Sequence, residues 1–272
     1  MIILPVVFLI AVILGVVEGL TEYVPVSSTG HLIIVGHVLG FAGPRAETFE
    51  IFIQLGAILA VVGVFWSRFT SLIKLQKSEG QGADFSGKRG LLLLLATSLP
   101  GLVLGKLAHH AIKEHLFTPA TVAMGLLVGA ILMLLVEKFK RKSATLSVES
   151  ITWKQALGIG CFQCLALWPG MSRSSSTIVG GMALGLSREA AAEYSFLAAV
   201  PIIGAATCYD LYKSRSLLEA ADIGYFTVGF LVSWLVAWVS IRFLLRYLTR
   251  HSLSLFAWYR IFVAVVVFYF LH

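Results

Sequence analysis

The sequence predicts an all-α protein that crosses a membrane several times, and three observations carry that prediction. Of 272 residues, 58% are hydrophobic and only 13% charged, where soluble domains run near a quarter charged. Mean hydropathy is +0.90. Apolar stretches close to membrane length recur along the whole chain, and at about 20 residues per span roughly eight crossings fit with short links.

Taken in order, the first stretch is 3–23. Its opening MIILPVVFLIAVILGVV has no basic start and runs directly into polar residues, so it is expected to be a retained helix and not a cleaved signal. Further spans are expected near 49–66, 91–108, 119–136, 155–168, 190–209, 223–245 and 255–271. Residues 26–41 and 172–186 are apolar but short and rich in Ser and Gly, which predicts re-entrant segments and not spans. The polar links 67–90 and 137–154 are expected in the cytoplasm. They hold Arg68, Lys74, Lys77, Lys88 and Arg89, and then Lys138, Lys140, Arg141, Lys142 and Lys154, while Arg242, Arg246 and Arg250 form a third basic group. The stretch 109–118 carries only Lys113 and Glu114 and is placed on the far side.

These links account for the net charge of +7. Lys and Arg gather in cytoplasmic loops against anionic headgroups, so membrane lipids and no nucleic acid are the expected partners. Cys161 and Cys164 match C-x-x-C but lie in an apolar stretch without thioredoxin-like context, and are expected to be small buried hydrophobes. Trp66, Trp168, Trp234, Trp238 and Trp258 are expected at the interfaces or in packing.

One membrane domain, 1–272, is expected, built from two repeats near 1–136 and 150–272. A shift of 145 residues aligns Gly15 with Gly160, Leu20 with Leu165, Ser27 with Ser172, Ile33 with Ile178 and Gly36-x-x-Leu39-Gly40 with Gly181-x-x-Leu184-Gly185. Glu18 falls on Gln163, and a small gap pairs Glu50 with Glu193. Broken apolar segments in matching positions point to a shared central site. Whether the halves are inverted depends on the number of crossings between them. Pro25, Pro100, Pro169 and Pro201 each remove a backbone donor within apolar surroundings, and a break or kink is expected at each. Behind Pro25 and Pro169 the break would expose a helix N-terminus, which attracts anions.

Two polar clusters lie at these breaks. In the first, Glu18 and Glu22 stand four residues apart on one helix face and repel unless a cation, a proton or an arginine lies between them. Carboxylates at membrane depth point to function: a site for a divalent ion such as Mg2+ or Ca2+, or an acid/base pair. Ser27, Ser28, Thr29 and His31 follow, with Ser28 and His31 one helical turn apart, a spacing that suits an activated hydroxyl or a proton donor to a leaving group. In the second cluster, Pro169-Gly170-Met171-Ser172-Arg173-Ser174-Ser175-Ser176-Thr177, an arginine that forks onto phosphate oxygens sits among hydroxyls and backbone N–H groups. Arg173 is either that clamp, the counter-ion of Glu18 or Glu22, or both. Glu50, with Gln54 one turn on, and Glu193 are further functional carboxylates or a structural pair, and Arg260 is expected to neutralise a buried carboxylate or to reach the interface.

Both motifs, Glu18-Gly-Leu-Thr-Glu22-Tyr-Val-Pro-Val-Ser-Ser-Thr-Gly-His31 and Pro169-Gly-Met-Ser-Arg-Ser174-x-x-Thr177, resemble the signatures of undecaprenyl-diphosphate phosphatases of the bacitracin-resistance type. The resemblance extends over nearly the whole chain, through Phe49-Glu50-x3-Gln54-Leu-Gly56 to Tyr259-Arg260. It implies an inverted-repeat helical bundle with two re-entrant hairpins in the bacterial inner membrane, with a site that opens to the periplasm and depends on a divalent cation. The implied reaction removes the terminal phosphate of undecaprenyl diphosphate. Glu18 and Glu22 would bind metal or assist proton transfer, Ser28 and His31 would be nucleophile and proton-transfer candidates, and Ser172, Arg173, Ser174 and Thr177 would hold the diphosphate, with Ser27, Thr29 and Gly170 as further substrate contacts. Two other readings compete: a transporter that flips the lipid phosphate through the same headgroup site, and a lipid-binding scaffold without turnover, which would have no use for buried Glu18 and Glu22. The sequence leaves the oligomeric state open, a homodimer included.

Overall fold

The computed structural model describes residues 4–73, 85–116, 118–139 and 144–270, without the side chains of residues 4, 109, 111, 113, 115 and 270. Lys74, Lys77, Lys140, Arg141, Lys142 and the Lys113 side chain, used above to orient the chain, lie outside the described residues. Among those described there is no strand. Eleven α-helices follow one another: α1 (Leu4–Thr21), α2 (Ser28–Val38), α3 (Pro44–Val64), α4 (Trp66–Ile73), α5 (Gly87–His115), α6 (Pro119–Lys138), α7 (Trp153–Gln163), α8 (Arg173–Ala183), α9 (Arg188–Ser214), α10 (Ile223–Leu248) and α11 (Ser254–Phe270).

Helices α3, α5, α6, α9 and α10 are long and apolar enough to cross a membrane, and α1 and α11 are shorter apolar helices. Their outer faces are apolar: Leu95, Leu99 and Leu102 on α5, Leu231, Leu235 and Phe243 on α10, and Phe262, Val265 and Phe268 on α11 are all exposed. A belt of this kind needs lipid around it. The chain is an all-α polytopic membrane protein. The stretch 155–168 departs from expectation. Helix α7 ends at Gln163 and tightens into a 3-10 turn, Cys164–Leu167, before Pro169. At 11 residues α7 is about 16 Å long, too short to span alone, and it forms a pair with α8. A second departure is α4, a helix where only a polar link is expected.

Helices α5 and α9 run continuously through Pro100 and Pro201, so a break follows Pro25 and Pro169 but not these two. Cys161 and Cys208 are exposed and Cys164 is half-buried, which corrects the expectation that the CxxC cysteines are buried. In a bilayer a small apolar side chain is stable on the lipid-facing surface and need not be covered by protein. Trp168 turns inward, its indole N–H donating to the Thr121 carbonyl at 2.8 Å.

Under the 145-residue shift α1 corresponds to α7, α2 to α8 and α3 to α9, and by order α5 corresponds to α10 and α6 to α11. The packing then comes in matched sets. Helix α1 lies along α10 and α7 along α5, α3 and α5 pack respectively on α10 and α9, while α3 meets α9 and α6 meets α11. Close approach at the equivalent glycines makes the first set. A methyl on Gly15 would stand 2.7 Å from the Gly229 carbonyl oxygen, and one on Gly160 would stand 2.6 Å from that of Thr97, the small-residue contact that lets membrane helices touch.

The described residues of the polar links gather at one end of the bundle. Arg68 pairs with Glu149 and, at 3.2 Å, with Glu193. Arg89 donates to the carbonyls of Glu149 and Ile151 at 3.3 and 2.6 Å. Arg188 pairs with Glu137, which also accepts from the Leu253 N–H at 2.8 Å. Glu193 is therefore an ion-pair partner of Arg68.

Candidate active site

Two short helices begin in the interior, and the residue that caps each adopts the same rare backbone. Ser27 precedes α2 with φ 76°, and Ser172 precedes α8 with φ 67°. Among the described residues these are the two non-glycine positions with positive φ, and they are the two the 145-residue shift superimposes. Left-handed geometry is strained for a residue with a Cβ and tends to mark functional sites. Each serine caps its own helix: Ser27 Oγ accepts from the Gly30 N–H at 3.4 Å and Ser172 Oγ from the Ser175 N–H at 3.3 Å. Gly170 has φ 92° and sits so close to the Val122 carbonyl that a side chain there would collide.

Between the breaks lies a cavity of about 320 Å3, lined by Glu22, Ser27, Ser28, Thr29, Gly170, Ser172 and Arg173 together with Gln54, Gln163 and apolar residues of α5, α9 and the 165–169 turn. One polar chain joins the two motifs across it. Ser28 Oγ donates to Glu22 Oε2 at 2.6 Å. Arg173 Nη2 donates to Glu22 Oε1 at 3.2 Å. Arg173 Nη1 donates to the Ser195 carbonyl at 2.9 Å and to Ser195 Oγ at 3.2 Å, and Ser195 Oγ stands 2.6 Å from Thr177 Oγ1. The Tyr23 ring lies 5.7 Å from the guanidinium carbon. Arg173 Nε is buried without a partner, and so are both carboxylate oxygens of Glu18. Ser174 donates to the Val24 carbonyl at 3.4 Å, which ties the second motif to the first.

The chain matches the family model described as Bacitracin resistance protein BacA over residues 11–266. It belongs to the BacA family. Among its relatives named undecaprenyl-diphosphatase, that of Nitratidesulfovibrio vulgaris (strain Hildenborough) is 56% identical over 96% of this chain and 97% of its own. Those of Maridesulfovibrio salexigens and Desulfovibrio desulfuricans are 56% and 54% identical over 96% and 97% of this chain, and over 97% and 98% of their own length.

In this BacA chain the expected residues do not all converge. Glu22, Ser27, Ser28, Thr29, Gly170, Ser172 and Arg173 share the cavity, while Ser174 and Thr177 stand behind it as supports. Glu18 lies one helical turn behind Glu22, fully buried and off the cavity wall. His31 is not joined to Ser28. Its Nδ1 bonds the Ser27 carbonyl at 2.8 Å, so that nitrogen carries the proton, and its Nε2 accepts from the Tyr259 hydroxyl at 2.7 Å. Glu22, and not His31, stands within hydrogen-bond reach of Ser28. Glu50 is also off the cavity wall, which Gln54 lines in its place.

Arg260 corrects an expectation outright. It is fully buried and meets no carboxylate among the described residues. Its five N–H groups reach the carbonyls of Leu126, Pro25, Met171, Gly125 and Gly170. Breaking two helices leaves carbonyls without their usual donors, and a guanidinium is the side chain with enough donors to satisfy several at once. Ser195, Tyr23, Tyr259 and Gln163 were not foreseen as site residues. For Gln163 a signal was present, since it occupies the position equivalent to Glu18.

Proposed function

We propose that this chain hydrolyses undecaprenyl diphosphate to undecaprenyl phosphate and inorganic phosphate, recycling the lipid carrier for cell-wall synthesis and so giving resistance to bacitracin. The observation that carries the reading is the Ser28–Glu22–Arg173 chain, which sets a hydroxyl, its base and a cation against one cavity. Membership of the BacA family and relatives named undecaprenyl-diphosphatase support it.

The residues divide the work. Arg173, the hydroxyls of Ser27, Thr29 and Ser172, and the N-termini of α2 and α8 hold the diphosphate oxygens. Glu22 takes the Ser28 proton as Oγ attacks the terminal phosphorus. The bridging oxygen leaves on undecaprenyl phosphate, and water then releases phosphate from the serine. Arg173 now divides its donors between Glu22 and Ser195, so substrate phosphate would share a guanidinium already held in place. Catalysis of this kind rests on position and preorganised charge.

The residues present fit a divalent cation. Two acidic side chains stand one turn apart, and the oxygens of Glu18 are buried without a partner. No group of three or more His, Cys, Asp or Glu gathers among the described residues, so Glu18 and Glu22 would hold the ion and the diphosphate and water would complete its oxygen shell. Mg2+ or Ca2+ there would neutralise charge on the diphosphate.

The setting we infer is the bacterial inner membrane, with the cavity open to the periplasm. Arg68, Arg89 and Arg188 lie at one end of the bundle, at the starts of α5 and α9, and basic residues in links favour the cytoplasm. Gly101 and the 202–206 wall lie about 21–27 Å along those helices from that end, at 1.5 Å per residue. The matched breaks at Ser27 and Ser172 favour one second reading, movement of the lipid phosphate across the membrane through the same site. Phosphate release from undecaprenyl diphosphate by the purified protein with Mg2+ decides between them. Release is expected. Its absence in well-folded protein, with lipid phosphate moving across liposomes, would favour transport.

A further inference from the structure

Three features converge on Arg260. The side chain is fully buried yet no anion faces it among the described residues. All five of its N–H groups are used, and all on backbone carbonyls: Nε to Leu126 at 3.2 Å, Nη1 to Pro25 at 3.4 Å and Met171 at 3.0 Å, Nη2 to Gly125 at 3.1 Å and Gly170 at 2.9 Å. Three of those carbonyls belong to the two breaks. Pro25 stands just before Ser27–Ser28, and Gly170–Met171 just before Ser172–Arg173.

Helix α6 is cut to receive this arrangement. A methyl on Gly129 would collide with the guanidinium, and one on Gly125 would collide with the Pro169 carbonyl. The two glycines, one turn apart, form a flat trough in which the guanidinium and the 169–171 turn lie side by side. The residue before Arg260 extends the same hold, since the Tyr259 hydroxyl bonds His31 on α2. One turn of α11 therefore grips both broken segments.

We infer that Arg260 is a positioning residue for the proposed hydrolysis: it fixes the distance between the Ser28–Glu22 pair on one break and the Arg173 cradle on the other. The inference rests on the phosphatase reading above. A buried cation held by carbonyls alone is an expensive way to pack a bundle. A guanidinium, planar and with donors on three nitrogens, can tie two loops to one helix in a single geometry. Lysine has one nitrogen and cannot make the same fork.

The test compares phosphate release from undecaprenyl diphosphate by wild type, Arg260→Lys, Arg260→Met and Arg260→Ala, each purified in detergent, with thermal unfolding and size-exclusion profiles in parallel. Misplacement by about 1 Å is worth on the order of 100-fold in rate. The expectation for folded Arg260→Met and Arg260→Lys is therefore a kcat lower by about 100-fold with KM within about threefold. Added guanidinium should restore part of the kcat of Arg260→Ala. Should the Arg260 variants not fold, Gly129→Ala keeps every donor while displacing the guanidinium, and should lower kcat in a protein that still melts cooperatively. A folded Arg260→Met or Gly129→Ala with wild-type kcat overturns the inference, and so does activity lost only in proportion to the folded fraction. An inactive wild type overturns the phosphatase reading and the inference with it, whereas an active wild type beside unaffected variants overturns the inference alone.

Discussion

Ser28 Oγ lies 2.6 Å from Glu22 Oε2, and the two residues come from opposite sides of a helix break: Glu22 just past the end of α1, Ser28 at the first position of α2. The turn through Pro25 and the left-handed Ser27 brings them together. A hydroxyl held on a carboxylate this closely has the arrangement that the proposed hydrolysis needs of a nucleophile and its base. The other oxygen of the same carboxylate meets Arg173 from the second half of the chain, so the Glu22 side chain joins the two motifs, beside the Ser174–Val24 contact.

Removing the Ser28 hydroxyl or the Glu22 charge should therefore stop turnover without unfolding the bundle. Ser28→Ala and Glu22→Gln are each expected to lower kcat by about 10²–10⁴. Glu193→Gln, which touches the Arg68 network at the start of α9, should stay within about threefold of wild type. Phosphate release under saturating substrate checks all three. Equal losses at Glu22 and Glu193 would remove Glu22 from the chemistry.

Arg173→Lys tests the fork. The guanidinium divides its nitrogens between Glu22 and Ser195, with Nε left over and buried. An ammonium keeps the charge but not the spacing. Losing the fork removes donors from the phosphate cradle, and kcat/KM should fall by about 10²–10³ in a protein that still melts cooperatively. Wild-type kcat/KM in Arg173→Lys would leave the arginine as a simple counter-ion.

At the basic end the Arg68–Glu149 pair gives a pH signature that is independent of catalysis. Burial alone would raise the Glu149 carboxyl, but hydrogen bonds from Ser147, from its own backbone and from Arg68, and the charge of Arg68, outweigh it and hold the group below its ordinary value of 4.5. A carboxylate depressed in the folded state stabilises above its unfolded value, and that stabilisation is lost as pH falls through the folded one. Wild type should therefore unfold at higher temperature than Glu149→Gln at neutral pH. The gap should close as the pH drops below about 4.5. A gap that persists unchanged in acid would mean the carboxylate charge is not what holds these links together.

Much of this was legible in the sequence because the signals are local. A carboxylate in an apolar stretch, a proline before a run of hydroxyls, and a shift that lays Ser27 on Ser172 are all visible without a fold. What was not legible depends on where the chain goes afterwards. Ser195 sits in the apolar run of α9 and reads as packing, and only the return of α9 past α8 puts it on Arg173. His31 and Ser28 share a helical face by spacing, yet Tyr259 on α11 claims the imidazole from outside. Arg260 invites the expectation of a carboxylate because side-chain charges are what a sequence displays, and the backbone carbonyls it actually meets are hidden from any residue pattern.

Glu18 carries the last prediction. Its carboxylate is fully buried with both oxygens unpartnered, a state that costs free energy unless something occupies it. The proposed divalent cation, shared with Glu22 and the diphosphate, would partner those oxygens. Activity should vanish in excess chelator and return with Mg2+ or Ca2+. Glu18→Gln should retain the fold but require at least about tenfold more metal for half-maximal activity, since a carboxylate ligand is lost and a weaker amide oxygen replaces it. Titrating metal into chelator-stripped wild type and Glu18→Gln, with phosphate release as the readout, measures this directly. Coincident titrations would place the ion elsewhere, and full activity of the stripped protein would leave Arg173 and the helix N-termini as the whole of the charge that meets the diphosphate.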